Sequence, residues 1–176
     1  MKVINAPNEI PSETVINTLG TVTYVTPYLV FLAGSIELGA AENWQEKIIN
    51  ILMKSNLDNT YILNPRRLDW DSSWIQDISN SKFKEQVEWE LNALELSSKI
   101  LMYFDASTKS PISLLEFGMY AKTGKLIVCC PEGFWRKGNI DVVCEKYKVK
   151  QVNTVEELAK EAFCFVDAYT GKKYYV

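Results

Sequence analysis

Four short apolar runs, each followed by helix-length sequence, limit what this chain can fold into. They are Tyr28 to Ala33, Thr60 to Leu63, Lys99 to Phe104 and Lys125 to Cys130. Runs of four to six apolar residues bounded by Gly, Pro or Asn read as strands buried on both faces. Between the first two, Ala41 to Lys54 places Trp44, Ile48, Ile51 and Leu52 at helical spacing. Lys82 to Ser97 predicts a second helix, and Ser110 to Gly124 a third, with Ser110 as N-cap, Pro111 at the first helical position and Gly124 as C-terminal cap. Asn139 to Lys146 predicts a short helix, Tyr147 to Val152 a fifth strand, and Thr154 to Phe165 a last helix with a Thr154–Glu157 capping box. Strand and helix alternating at this spacing predict an α/β fold of three layers around a mainly parallel five-stranded sheet.

The 176 residues form one expected domain, 1–176, with its core at about 28–150 and flanking extensions that add small strands. Apolar residues make up 47% and charged residues 23%, the balance of a globular protein rather than a disordered one. Right-handed crossovers bring the carboxyl ends of parallel strands to one edge, where ligands bind. Three segments fall there: Gly34-Ser35-Ile36, the irregular 65–77 loop, and Asp105 to Ser110.

The chain contains no histidine. That removes Ser-His-Asp and Cys-His nucleophilic sites and His-ligated zinc. Acid, base or nucleophilic work then falls to carboxylates, helped by Tyr, Lys or Cys. Glu116 is the leading candidate, because it stands in an almost wholly apolar helix beside Ile112, Leu115, Met119 and Tyr120. It is either a surface residue of a half-exposed helix or a buried carboxylate, and a buried charge costs several kcal/mol unless paired or used. In the Lys82–Ser97 helix, Phe83, Val87, Leu91 and Leu94 form the expected apolar stripe, and Glu90 lies on it with Gln86 one turn earlier. Glu90 is either a boundary residue or a second carboxylate facing the same cleft.

Net charge is -3, with basic residues in scattered pairs, which argues against a nucleic-acid polymer as partner. Cys129, Cys130, Cys144 and Cys164 have no metal or redox spacing and read as small buried hydrophobes. No signal peptide and no membrane span are read in the chain, so the expected setting is cytoplasmic, without membrane association.

Phe31-Leu32-Ala33-Gly34-Ser35-Ile36, Asn64-Pro65-Arg66-Arg67 with Asp69-Trp70-Asp71, the Glu90 helix and Ser110-Pro111-Ile112-Ser113-Leu114-Leu115-Glu116-Phe117-Gly118 occur in this order and spacing. Together they resemble the nucleoside 2-deoxyribosyltransferase-like proteins, nearest an uncharacterised, often phage-borne branch, over about residues 28 to 150. The resemblance implies a flavodoxin-like or Rossmann-like fold and cleavage of an N-glycosidic bond in a nucleoside or nucleotide, by deoxyribosyl transfer or hydrolysis. It makes Glu116 the nucleophile that holds a covalent glycosyl intermediate. Glu90 stands where the family usually has an Asp that assists the leaving base or binds the sugar. Gly34, Ser35 and Ile36 would lie against the sugar or a phosphate, Ser110 against a 5'-phosphate, and Arg66 at the same edge. Asp69 and Asp71 compete with Glu90 for the acid role, while Trp70, Trp74, Phe134 and Trp135 are placed for stacking on a base. No cofactor or metal is called for, and relatives imply a homo-oligomer. Two other readings stay open: an idle nucleotide-binding or sensing protein, and a glycohydrolase acting on an NAD- or ADP-ribose-type nucleotide.

Overall fold

The four apolar runs become strands, and the sheet they build has six members rather than five. The computed structural model describes residues 1–18, 21–36, 41–55, 57–166 and 173–175. Along the chain come β1 (Lys2–Asn5), β2 (Thr14–Thr18), β3 (Thr21–Val25), β4 (Tyr28–Gly34), α1 (Trp44–Leu52), β5 (Thr60–Asn64) and α2 (Ser81–Leu96). Then follow β6 (Lys99–Tyr103), α3 (Pro111–Tyr120), β7 (Leu126–Cys129), α4 (Lys137–Tyr147), β8 (Lys150–Val152), α5 (Val155–Glu161), β9 (Cys164–Val166) and β10 (Lys173–Tyr175).

The sheet order is β1-β5-β4-β6-β7-β8, with every neighbouring pair parallel. Without β1 this is the flavodoxin order, whose ligand crevice lies where the chain steps from one side of its first strand to the other. Here that switch point is between the carboxyl ends of β4 and β6. The extra strand comes from the N-terminal extension. Val3 and Ile4 pair with Ile62 and Leu63, the Asn64 amide donates to Asn5 Oδ1 at 3.0 Å, and the Trp89 indole N–H donates to the Asn8 carbonyl at 2.7 Å.

The strict period of two in the central strands sorts the core into two halves. Leu29, Phe31 and Ala33 meet Trp89, Ala93 and Leu94 of α2, Phe117 of α3 and Ile140 of α4. Val30 and Leu32 meet Trp44, Ile48 and Leu52 of α1 and Leu158, Ala159 and Ala162 of α5. The fifth expected strand shortens to β8, because α4 continues to Tyr147 and Lys148 then turns left-handed at φ 58°. The last helix is shorter than expected, but its cap is as read: Thr154 Oγ1 accepts from Glu157 N–H at 3.1 Å. β2 and β3 form a separate hairpin. Of the C-terminal stretch 168–176, only 173–175 lie within the described residues, paired antiparallel with β9. Among the described residues, no helix is long and apolar enough to cross a membrane.

Candidate active site

α3 is built inside out. Ser113, Glu116 and Phe117 are its buried residues, with Glu116 only 8% exposed, while Ile112 (61%), Leu115 (60%) and Met119 (48%) point outward. An apolar helix packed on a sheet can bury only one stripe, and the stripe chosen here carries the carboxylate. Glu116 therefore lies on the buried side of the helix with Ser113 and Phe117, while Ile112, Leu115 and Met119, expected around it from the sequence, point to the exposed side. Burial pushes its carboxyl up to about 8, and the charge of Glu90 adds to the rise.

α2 supplies that second charge. Its buried residues are Gln86, Trp89, Ala93 and Leu94, a stripe rotated from the one expected: Leu91 is exposed, Phe83 and Val87 are half-buried. Glu90 is half-buried at the edge of the stripe nearest α3, and desolvation raises its carboxyl to about 7. One contact opposes the rise: Gln86 Nε2 donates to Glu90 Oε1 at 2.8 Å, and the same nitrogen donates to the Pro65 carbonyl at 2.9 Å. The two carboxyls thus sit close enough to act on each other, in surroundings that disfavour two charges.

At the switch point, three hydroxyls come together. Ser35, Thr108 and Ser110 are all buried; Ser35 Oγ lies 2.5 Å from Ser110 Oγ, and Thr108 Oγ1 lies 2.7 Å from Ser110 Oγ and donates to Ser35 Oγ at 3.1 Å. Ser35 Oγ also accepts the Asp105 N–H at 2.8 Å, tying the end of β4 to the loop after β6. Ser110 holds the N-cap position but makes no side-chain cap bond, and its backbone is left-handed at φ 46°. Its hydroxyl is turned into this cluster instead. Gly34 has a structural reason distinct from ligand approach. It stands at φ 133° opposite Tyr103, and a Cβ there would come within 2.1 Å of the Tyr103 carbonyl oxygen. Ile36 follows, half-buried, at the same edge.

The 65–80 loop does not bring its acids to the pair. Asp69 is exposed and held below the usual carboxylate range by Arg67, which bonds it at 2.6 Å and Glu85 at 2.6 Å. Asp71 is exposed and bonded by Ser73, which likewise lowers it. Each is stabilised in its charged form, the opposite of the raised acid expected of it. Trp70 packs on Trp74 at 5.1 Å, and Arg67 lies over Trp74, so these rings brace the loop. Arg66 is turned to Gln45 Oε1 (2.9 Å) and the Glu42 carbonyl (3.3 Å). Phe134, expected to stack on a base, is instead core: 3% exposed and packed on Phe104 at 4.9 Å. Trp135 is 44% exposed, donates to the Lys109 carbonyl beside Ser110, and has Lys109 and Arg136 over its ring. Gln86, noted from sequence one turn before Glu90, and Asp105 and Thr108, inside the segment expected at the ligand edge, belong to this constellation, though none of them has a role of its own legible in the sequence. The spacing of Gln86 four before Glu90 was the available signal for the first.

Two shallow concavities, of about 150 and 330 Å3, lie elsewhere, one lined by Lys99, Tyr147, Lys148 and Lys150 and the other along β8 and α5. Neither includes a carboxyl of the pair. A crystal structure of a conserved protein from Enterococcus faecalis V583 is similar in fold, with a TM-score of 0.54 at 14% identity, covering 78% of this chain and 98% of that one. No curated protein matches the chain. The family model described as nucleoside 2-deoxyribosyltransferase like matches residues 27–134, a stretch that holds β4, the hydroxyl cluster, Glu90 and Glu116. With more than half its length under that one model, the chain belongs to the nucleoside 2-deoxyribosyltransferase-like family.

Proposed function

We propose that this protein cleaves the N-glycosidic bond of a deoxynucleoside or nucleotide through a covalent glycosyl ester on Glu116. The observation that carries the reading is the buried Glu116 with Glu90 beside it, two carboxyls whose surroundings keep one proton between them near neutral pH. Glu116, raised the further, holds that proton in the resting pair, and the productive state is the tautomer in which the proton has passed to Glu90 and left Glu116 ionised. The Glu116 carboxylate attacks the anomeric carbon, the bond to the base nitrogen breaks, and the base leaves with that electron pair and takes the Glu90 proton. Water or a second base then attacks the same carbon, Glu116 departs as carboxylate, and Glu90 recovers a proton from the acceptor. A desolvated carboxylate beside a cationic, oxocarbenium-like centre is a strong stabiliser. Incubation with a panel of nucleosides, their 5'-monophosphates and NAD, read by mass spectrometry for free base, tests this. Base release from a nucleoside or monophosphate is expected; release from NAD alone favours the glycohydrolase, and silence across the panel leaves a binding protein.

The pair sets the pH dependence. Below about 7 both carboxyls carry protons and no nucleophile is present; above about 8 both are ionised and no acid remains. We expect kcat/KM to follow a bell with limbs near those values, belonging to the pair and not to either residue. A profile flat from pH 5 to 9 would contradict it.

The hydroxyl cluster lies at the amino end of α3, where backbone N–H groups and the helix dipole favour an anion. We assign it to the 5'-phosphate of a nucleotide substrate. Ser110→Ala should weaken monophosphate binding by about 1–2 kcal/mol, the scale of a charge-assisted hydrogen bond, and leave the matching nucleoside nearly unaffected. Equal losses in calorimetry would reduce Ser110 to a structural part.

The outward residues Ile112, Leu115 and Met119, with Leu91 of α2, form apolar surface next to the pair. We assign that face to a second copy of the chain, since patches of this kind mark interaction surfaces. Light scattering should find a dimer or larger, and a strict monomer at micromolar concentration would remove the assignment. We place the reaction in the cytoplasm, in keeping with four buried, unpaired thiols at Cys129, Cys130, Cys144 and Cys164.

A further inference from the structure

We infer that Gln86 is the positioning residue of the carboxylate pair, tying Glu90 to the main chain at the end of β5 so that one chosen oxygen faces the leaving base. The inference rests on the reading of the pair given above. Gln86 is 5% exposed, on the buried stripe of α2, and one of its nitrogens reaches both Pro65 O (2.9 Å) and Glu90 Oε1 (2.8 Å). Both partners are acceptors, so the amide has one workable orientation: Nε2 toward them, Oε1 away. Oε1 is buried and finds no hydrogen-bond partner in the structure. An apolar side chain of the same volume would remove this orphan but deprive the Pro65 carbonyl and Glu90 Oε1 of their donor, so the amide is explained by what its nitrogen holds.

The anchor is rigid. Pro65 has a fixed φ, follows directly on β5, and offers its carbonyl from the ligand edge of the sheet. From that carbonyl the amide reaches Glu90, one helical turn further along α2, by direct hydrogen bonds. Because Gln86 occupies Oε1, the proton of Glu90 is carried on Oε2, which gives the transfer a direction. The groups around Glu90 agree. From α3 its acidic neighbour is Glu116, whose own carboxyl the charge of Glu90 pushes up. The neighbouring loop's cations are engaged elsewhere, Arg66 by Gln45 and Glu42 and Arg67 by Asp69 and Glu85. Gln86 is the contact that favours the charged form of Glu90.

Carboxyl 13C NMR of Glu90, titrated in a Glu116→Gln background, tests the tie without any substrate. Gln86→Met should move the Glu90 midpoint up by about one pH unit, the scale of one charge-assisted hydrogen bond. Gln86→Asn, one methylene too short to bridge both acceptors, is the second variant should the first fold poorly, and it should move the midpoint the same way. With Glu116 present, the pH profile of base release should shift to higher pH and kcat at its optimum fall about tenfold at constant KM. A Glu90 midpoint unmoved in both variants overturns the tie. A wild type that releases base from none of the nucleosides or monophosphates overturns the reaction, and with it the positioning role, even if the titration moves.

Discussion

Replacing Glu116 with Gln is expected to abolish base release, by about 10³-fold or more, and to yield a protein more stable than the parent above pH 8. The first effect follows from chemistry: an amide cannot form the glycosyl ester, while its shape still fills the space between Ser113 and Phe117 on the buried face of α3. The second follows from burial. The folded carboxyl is raised from the ordinary 4.5 to about 8, so its contribution to stability is fully present below pH 4.5 and is lost as pH rises through 8. The parent should lose about 3–5 kcal/mol over that window relative to the variant, whose position 116 does not titrate. Urea unfolding at pH 5 and pH 8.5 measures the difference, and mass spectrometry should find a sugar adduct on Glu116 in the parent alone. Turnover near normal in Glu116→Gln would sink the nucleophile assignment.

The second large effect belongs to Glu90. Glu90→Leu should leave stability unchanged or raised, because the residue borders Leu94 and the buried stripe of α2, while base release falls by about 10²-fold or more. It also relieves Glu116 of a like charge, so the remaining carboxyl should ionise at lower pH than in the parent. If Glu90→Leu unfolds the protein and Glu90→Ala retains full activity, Glu90 is a structural residue and the acid must be sought elsewhere.

What could be read from the sequence divides along physical lines. Strands buried on both faces announce themselves as unbroken apolar runs, and β4, β5, β6 and β7 lie where those runs do. Helix orientation was less legible. α2 buries Trp89 and Ala93 and leaves Leu91 exposed, because fit against the sheet outranks side-chain hydrophobicity. α3 is apolar on nearly every side, so periodicity cannot say which face turns inward, and Glu116 is buried by the face chosen. Asp69 and Asp71 looked like candidate acids because acidity is set by partners, and Arg67 and Ser73 are partners only the fold selects. Phe134 sits in a loop segment by sequence, yet Phe104 draws it into the core. β1 was missed as a sheet member because Lys-Val-Ile-Asn is four residues long, too short to stand out from an irregular extension.

That short strand has a consequence far from the chemistry. Without it, β5 would present a row of unpaired N–H and C=O groups flanked by Ile62 and Leu63, both fully buried here, which is the template on which foreign strands grow. β1 covers that row and is itself only four residues long, opening with Lys2; at the far side β8 is three residues long and also begins with a lysine. Both margins of the sheet are thus short and charged where an intruding chain would have to start pairing, so a protein with so apolar an interior carries its protection against aggregation in the seven residues of β1 and β8.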